Sequence, residues 1–162
     1  MSIFSLLPDI LPMILPSAVH VTKAEDLEAQ RATSSHPGMV RQGAIVGKSD
    51  KMCATVLTAK ARCASAVHHH GEQDTIIYAA SGTGILMTNP GSEGDLVKHE
   101  LSAGDFAFVP PWTEHQEIND TDEDLVWILI RNGPEPLVFW LTDWGGDEAK
   151  KPSTGEDAEA HE

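Results

Sequence analysis

From residue 52 onward the chain is a succession of short apolar runs, each cut off by glycine or proline before it reaches helix length. The runs cover 52–57, 74–80, 83–87, 96–101, 105–109, 115–119, 125–130 and 137–141. Between them stand Ser81-Gly82, Asn89-Pro90-Gly91, Ser102-Ala103-Gly104, Pro110-Pro111 and Asn132-Gly133-Pro134, residue types that supply the backbone angles of tight turns. Apolar segments this short and this closely punctuated bury one face by pairing with one another, so the pattern predicts an all-β sandwich or barrel. A helical signal precedes them. Thr22 and Glu25 form a capping box ahead of 26–31, and the breaker cluster 33–38 ends it.

Two clusters of chemistry-bearing residues sit on those runs. The first is His68-His69-His70-Gly71-Glu72-Gln73-Asp74-Thr75 and the second is Pro110-Pro111-Trp112-Thr113-Glu114-His115-Gln116-Glu117-Ile118-Asn119. Side chains alternate between faces on extended chain, so His68 and His70 share a face, as do His115, Glu117 and Asn119. Neutral imidazole is the commonest protein ligand for transition metals, a carboxylate completes such a set, and three or four protein ligands leave a position open for water or substrate. Surface histidine pairs are common and would not decide the matter alone. The second cluster decides it, because three imidazoles and a carboxylate aimed into one space make a metal site. His69 faces the other way and is expected at the surface or in packing. Asn119 has an alternative role, bonding backbone at a strand end.

At these residues the chain resembles the cupin superfamily, whose first motif runs G-x5-H-x-H-x3,4-E-x6-G and whose second runs G-x5-P-x-G-x2-H-x3-N. Gly104, Pro110, His115 and Asn119 match the second motif in register, with Trp112 where its inner glycine would stand. His68, His70 and Gly82 match the first, with Arg62 in place of its opening glycine. The glutamate position falls on Asp74 counted from His70, or on Thr75 counted back from Gly82. The run is also similar to that of pirin, a cupin whose carboxylate comes from an H-x-E in the second motif, present here as His115-Gln116-Glu117. The resemblance covers 64–141 at motif level. It implies a double-stranded β-helix, the cupin jelly-roll barrel, over 19–142 with a short N-terminal helix. It also implies one divalent transition metal, Fe, Mn, Ni, Cu or Zn, held by His68, His70, His115 and Glu117. Asp74 and then Gln73 are the alternatives for the fourth ligand.

What such a site would do follows from the same resemblance. The expectation is an enzyme acting on a small aromatic or enolisable molecule, with dioxygenase-type chemistry as in quercetin dioxygenase placed first. Non-redox isomerisation, decarboxylation, dehydration or cyclisation comes second, and a non-catalytic small-molecule-binding cupin is the remaining alternative. Glu117, released from the metal, would be the catalytic base. Trp112, Tyr78 and Asn119 are the expected pocket residues, Trp112 overhanging the metal mouth. Arginine and lysine are scarce within the two motifs, which predicts a mostly apolar pocket with no clamp for phosphate or several carboxylates.

The rest of the chain sets limits. At 162 residues it suits a single domain, and a net charge of −14 argues against nucleic acid or anionic membrane as partner. Cys53 and Cys63 make no disulfide framework, which suits a reducing, cytoplasmic location. Residues 1–18 are apolar but lack a basic start, are interrupted by Pro8, Pro12 and Pro16, and are too short to span a bilayer. They are expected to form an arm packed on the barrel or on a second subunit, hence a homodimer. Residues 143–162, acidic and without apolar periodicity, are expected to be a disordered tail.

Overall fold

The computed structural model describes residues 18–32, 38–91 and 94–149, so the apolar arm up to residue 17 and the tail from residue 150 lie outside the described residues. Helix α1 (Ala24–Ala32) is followed by β1 (Met39–Ile45), β2 (Met52–Ala59), β3 (His68–His69), β4 (Thr75–Ser81) and β5 (Gly84–Thr88). Then come β6 (Val97–Leu101), β7 (Phe106–Val109), β8 (His115–Ile118), β9 (Leu125–Asn132) and β10 (Phe139–Trp140). The strands form two antiparallel five-stranded sheets with orders β1-β2-β9-β4-β7 and β10-β3-β8-β5-β6. Successive strands from β3 to β9 cross from one sheet to the other, except at β5–β6. This is the double-stranded β-helix expected from the motifs.

Strand β9 shows why the sheets face each other. Leu125, Trp127, Leu129 and Arg131 are buried while their neighbours are not, so alternate residues fill the interior. Trp127 packs with Leu57, Ile77, Ala79, Leu86 and Leu125 in the core. Gly84 opens β5 because a Cβ there would meet Leu125 and lie 2.9 Å from Trp127 Cζ2. Burying side chains of this size stabilises by roughly 1.5–3 kcal/mol each. The interior is not uniform along the barrel. Leu57, Trp127 and Ala79 lie across β2, β9 and β4 at one level, whereas Cys53, Arg131, Thr75 and Val109 lie across β2, β9, β4 and β7 at another. The polar level is where the site forms.

Strand β1 was absent from the apolar pattern, because its inward positions are Met39, Arg41 and Gly43. Helix α1 also starts differently from the capping box read in the sequence. The Lys23 N–H donates to Asp26 Oδ2 at 3.1 Å, so the acid of the box is Asp26, while the Thr22 hydroxyl donates to the Ala44 carbonyl and ties the helix start to β1. The helix buries no residue; amides hold it to β1. Gln42 Nε2 donates to Leu27 O at 2.6 Å, and Gln30 both donates to and accepts from the Gly43 backbone at 3.0 and 2.7 Å. The first residues of the expected tail, 143–149, turn back on the strands, and the rest of it lies outside the described residues. The Ala149 N–H donates to Trp140 O at 2.6 Å and the Gly145 N–H to Glu114 Oε1 at 2.6 Å. Among the described residues no helix is long and apolar enough to cross a membrane.

Candidate metal centre

His68 lies on β3, His70 just past its end, and His115 opens β8 directly across from His68. All three are buried, and their ring centroids are 4.2, 4.7 and 5.2 Å apart. Each ring is anchored the same way. Nδ1 of His68 meets Ala66 O at 2.8 Å, that of His70 meets Leu137 O at 2.8 Å, and that of His115 meets Thr113 O at 2.9 Å. A carbonyl only accepts, so each Nδ1 carries a proton and Nε2 is the nitrogen left to face the neighbouring rings. One nitrogen from each ring lies within 4.8 Å of the others. Nε2 of His68 and of His115 is buried without a hydrogen-bond partner. An orphaned buried acceptor costs roughly 1–3 kcal/mol, and two of them converging on one point with fixed tautomers is the arrangement of a metal ligand set.

Electrostatics keeps two of the rings, His70 and His115, in the protonation state a metal requires. Burial, then the Arg131 charge and the neighbouring histidines, pushes the His70 pKa down to about 2. Burial and then His68 push His115 down to about 4, against the opposing pull of Glu117. Both are neutral at ordinary pH, and a metal need not compete with a proton for them.

Glu117 is fully buried on β8, with Oε1 3.3 Å from His68 Nε2. Arg41 Nη1 and Nη2 donate to its two oxygens at 3.4 and 3.1 Å. Burial alone would raise the carboxyl pKa; Arg41, and then His68, outweigh it and hold Glu117 well below the usual carboxylate range. The strand carrying Glu117 is locked by Ser65, which donates its N–H to Glu117 O at 2.9 Å and accepts the Glu117 N–H on Oγ at 3.0 Å. Arg41 also lies 5.5 Å over the Trp140 ring, and that ring is 4.7 Å from His68.

The expectation of a pocket without a cationic clamp is overturned. Two guanidiniums reach the interior from strands outside both motifs, Arg41 from β1 and Arg131 from β9. Arg131 is 3% exposed, with Nη2 3.2 Å from His70 Nε2 and with Nε and Nη1 unpartnered. Burial, then Arg41, lowers its pKa to about 10, so it remains a cation at neutral pH. Cys53 is its neighbour across β2–β9, and burial pushes that thiol up against the opposing pull of Arg131.

The other candidate residues stand apart from the three imidazoles. Asp74 is exposed. Gln73 is buried but committed: Nε2 donates to Asn132 O and Glu135 O at 2.7 Å each, and Oε1 accepts the Leu137 N–H at 2.9 Å. It thereby steadies the segment whose Leu137 carbonyl anchors His70. Asn119 donates to Ala59 O at 3.0 Å and Glu123 O at 2.8 Å, and accepts from the Thr121 N–H and hydroxyl at 3.0 and 2.8 Å. Tyr78 packs at a tilt against Phe106 on the outer face of its sheet, with ring centroids 4.7 Å apart. Trp112 is 62% exposed and its ring lies 5.5 Å from His69, on the outward side of β3. A cleft of about 560 Å³ opens between β6 and β7, lined by Leu86, Leu101, Phe106, Phe108, Val109 and Thr113 among others, but by none of the three histidines. Leu86 and Val109 on its wall are register partners of Glu117 and Thr75.

Comparison with known proteins agrees with this architecture. The family described as Cupin domain matches residues 55–131. A conserved protein with a double-stranded beta-helix domain from Klebsiella pneumoniae superposes with a TM-score of 0.56 at 18% identity, over 66% of this chain and 87% of that one. KdgF from Halomonas sp. does so with a TM-score of 0.51 at 22% identity, over 62% of this chain and 84% of that one. A serine-to-alanine mutant of Bacillus subtilis oxalate decarboxylase OxdC gives a TM-score of 0.62 at 22% identity, over 78% of this chain but 33% of the enzyme. The chain thus spans about a third of that enzyme's length. At these identities the likeness is one of fold. None of the curated proteins matches the sequence.

Proposed function

The chain belongs to the cupin superfamily, and from that premise we propose that it is a metal-dependent enzyme acting on a small, enolisable or aromatic oxygen-bearing molecule. The observation that carries the proposal is the set of three buried imidazoles with every Nδ1 spent on a carbonyl and the Nε2 side facing inward. His68, His70 and His115 would hold the ion through Nε2, and Glu117, 3.3 Å from His68 Nε2 though outside the set of three converging nitrogens, would be the fourth donor. A divalent Fe, Mn, Ni, Cu or Zn, when bound, supplies Lewis acidity and, if redox-active, dioxygen chemistry. Arg41 orients Glu117 from behind. Because Arg41 keeps Glu117 ionised and weakly basic, this carboxylate suits ligation better than proton abstraction. Trp140 against His68 and the closed apolar level around Trp127 keep bulk water from the site, which strengthens every charge interaction within it.

Dioxygenase-type turnover is the first class to assay, followed by metal-assisted isomerisation, decarboxylation, dehydration and cyclisation. A homodimer is part of the proposal. Ile76, Phe106, Phe108 and Ile130 are exposed side by side on the outer face of the first sheet, an apolar area that a second copy would cover. Two free cysteines suit a reducing cytoplasm. Elemental mass spectrometry of the purified protein tests the metal. About one transition metal per chain is expected, lost in folded His68→Ala and His115→Ala. A folded wild type that takes up no metal on reconstitution overturns the proposal.

A further inference from the structure

Resting on the metal site proposed above, we infer that Arg131 and Thr75 form the seat of a substrate carboxylate, which makes small carboxylic acids the substrate class. A guanidinium carries five N–H donors and no acceptor. Among the described residues, Arg131, 3% exposed at the inward end of β9, has one side-chain hydrogen-bond contact, with His70 Nε2, while Nε and Nη1 are buried without hydrogen-bond partners. Its register neighbour Thr75, 1% exposed, also has an unpartnered hydroxyl. The buried carboxylate of Glu117 attracts Arg131 through space but gives it no hydrogen bond, since both its oxygens accept from Arg41. A buried cation left without a counter-anion is among the costliest features a core can carry, because desolvation is uncompensated. Unpartnered donors on the inward face of two paired strands are complementary to an anionic oxygen pair.

Position adds the second half of the argument. The contact to His70 Nε2 places the guanidinium beside the lone pair that a metal would take. Metal and Arg131 cannot both use that lone pair, so loading the site leaves Arg131 wholly without a partner beside a second cation. A carboxylate satisfies both charges at once. A neutral phenol or ketone of similar size satisfies neither Arg131 donor to the same extent, since charge-assisted hydrogen bonds are roughly twice as strong as neutral ones.

The test pairs each acid with its neutral isostere: acetate with acetamide, pyruvate with pyruvamide, benzoate with benzamide. Binding is measured by calorimetry on metal-loaded and metal-free full-length protein, with metal content determined separately. At least one carboxylate should bind tenfold or more tightly than its amide. Arg131→Met should remove that preference by weakening carboxylate binding far more than amide binding, Arg131→Lys should restore part of it, and Thr75→Val should weaken it less. Thermal unfolding checks that each variant is folded, and Arg131→Lys carries the test if Arg131→Met does not fold. No carboxylate preference in the wild type, or one that survives in Arg131→Met, overturns the inference. Absence of metal with the preference intact in metal-free protein sinks the metal proposal and leaves this one standing.

Discussion

Replacing Arg41 with methionine should destabilise the metal-free protein by about 3 kcal/mol, because it strands a charge that cannot reach water. Glu117 is fully buried and its oxygen lies 3.1 Å from Arg41 Nη2, whose side chain is 25% exposed. Coulomb attraction at that distance is about 5 kcal/mol for an effective dielectric of about 20, and solvent access on the arginine side reduces it to roughly 2–3 kcal/mol of coupling. A double-mutant cycle with Glu117→Gln, measured by urea unfolding at pH 7, isolates that coupling. The double variant should be about as stable as Glu117→Gln alone. Acid supplies a second signature. In the wild type the Glu117 pKa lies below its ordinary value of 4.5, so its contribution is present above that value and lost as pH falls through the folded pKa. In Arg41→Met, burial pushes the carboxyl upward instead, protonation relieves the stranded charge, and the deficit relative to wild type narrows as pH falls toward about 4.5. Coupling below about 0.5 kcal/mol, or a deficit that does not change with pH, would refute the reasoning.

Asn119→Ala should cost about 2 kcal/mol, since its side chain carries four hydrogen bonds to 59, 121 and 123, yet leave metal stoichiometry unchanged; loss of metal in a folded variant would give Asn119 a role at the site. Metal-free protein should lose stability on acidification, because the His115 pKa falls from 6.5 to about 4 on folding. That contribution, up to roughly 3 kcal/mol, is complete above 6.5 and disappears as pH drops to about 4; a His115→Asn variant should show a smaller loss in urea unfolding across the same window. Trp112→Gly should change stability by less than about 1 kcal/mol, against about 3–5 kcal/mol for a buried tryptophan, because the residue is exposed and its φ of 60° favours glycine; calorimetric unfolding checks it. Gly84→Ala should cost about 1–3 kcal/mol by driving a methyl into Leu125 and Trp127, measured by the same unfolding.

Trp112 and Arg62 also show how far the motifs could be read. They stand at the two motif positions where this chain replaces the superfamily's glycine, and they are the residues other than glycine with positive φ, 60° and 62°, among those described. The motif glycines therefore encode a left-handed backbone, which the sequence pattern preserves here without the residue type. That turn is also why the Trp112 ring goes to His69 on the outer surface and not over the metal position: its direction depends on a dihedral that side-chain spacing does not carry. The histidines were legible because alternation along a strand is local, and the three fall where alternation puts them. Strand β1 was not, since a strand whose inward residues include a charge and a glycine lacks the apolar signal by which strands are recognised. Arg131 did leave a trace. It continues the inward phase of Leu125, Trp127 and Leu129, and the apolar run ended at residue 130 because a charged residue followed.

The misjudged pocket and the two hidden arginines have one cause, and it bears on function. A site built from motif residues alone would be three neutral imidazoles and a carboxylate, a balance that a divalent ion nearly completes. The folded interior holds one carboxylate against two guanidiniums before any ion is added. Arg41 is accounted for by Glu117, but Arg131 is not, and a divalent ion beside it deepens the excess of positive charge in a place where little solvent screens it. That excess is opposite in sign to the net charge of the chain, −14. A structural arginine at this position would be more stable replaced by an apolar residue of similar size, as buried charges commonly are. Its presence is accounted for by an anion that arrives from outside, so the charge balance of the core points to the same partner as the unpartnered donors of Arg131 and Thr75.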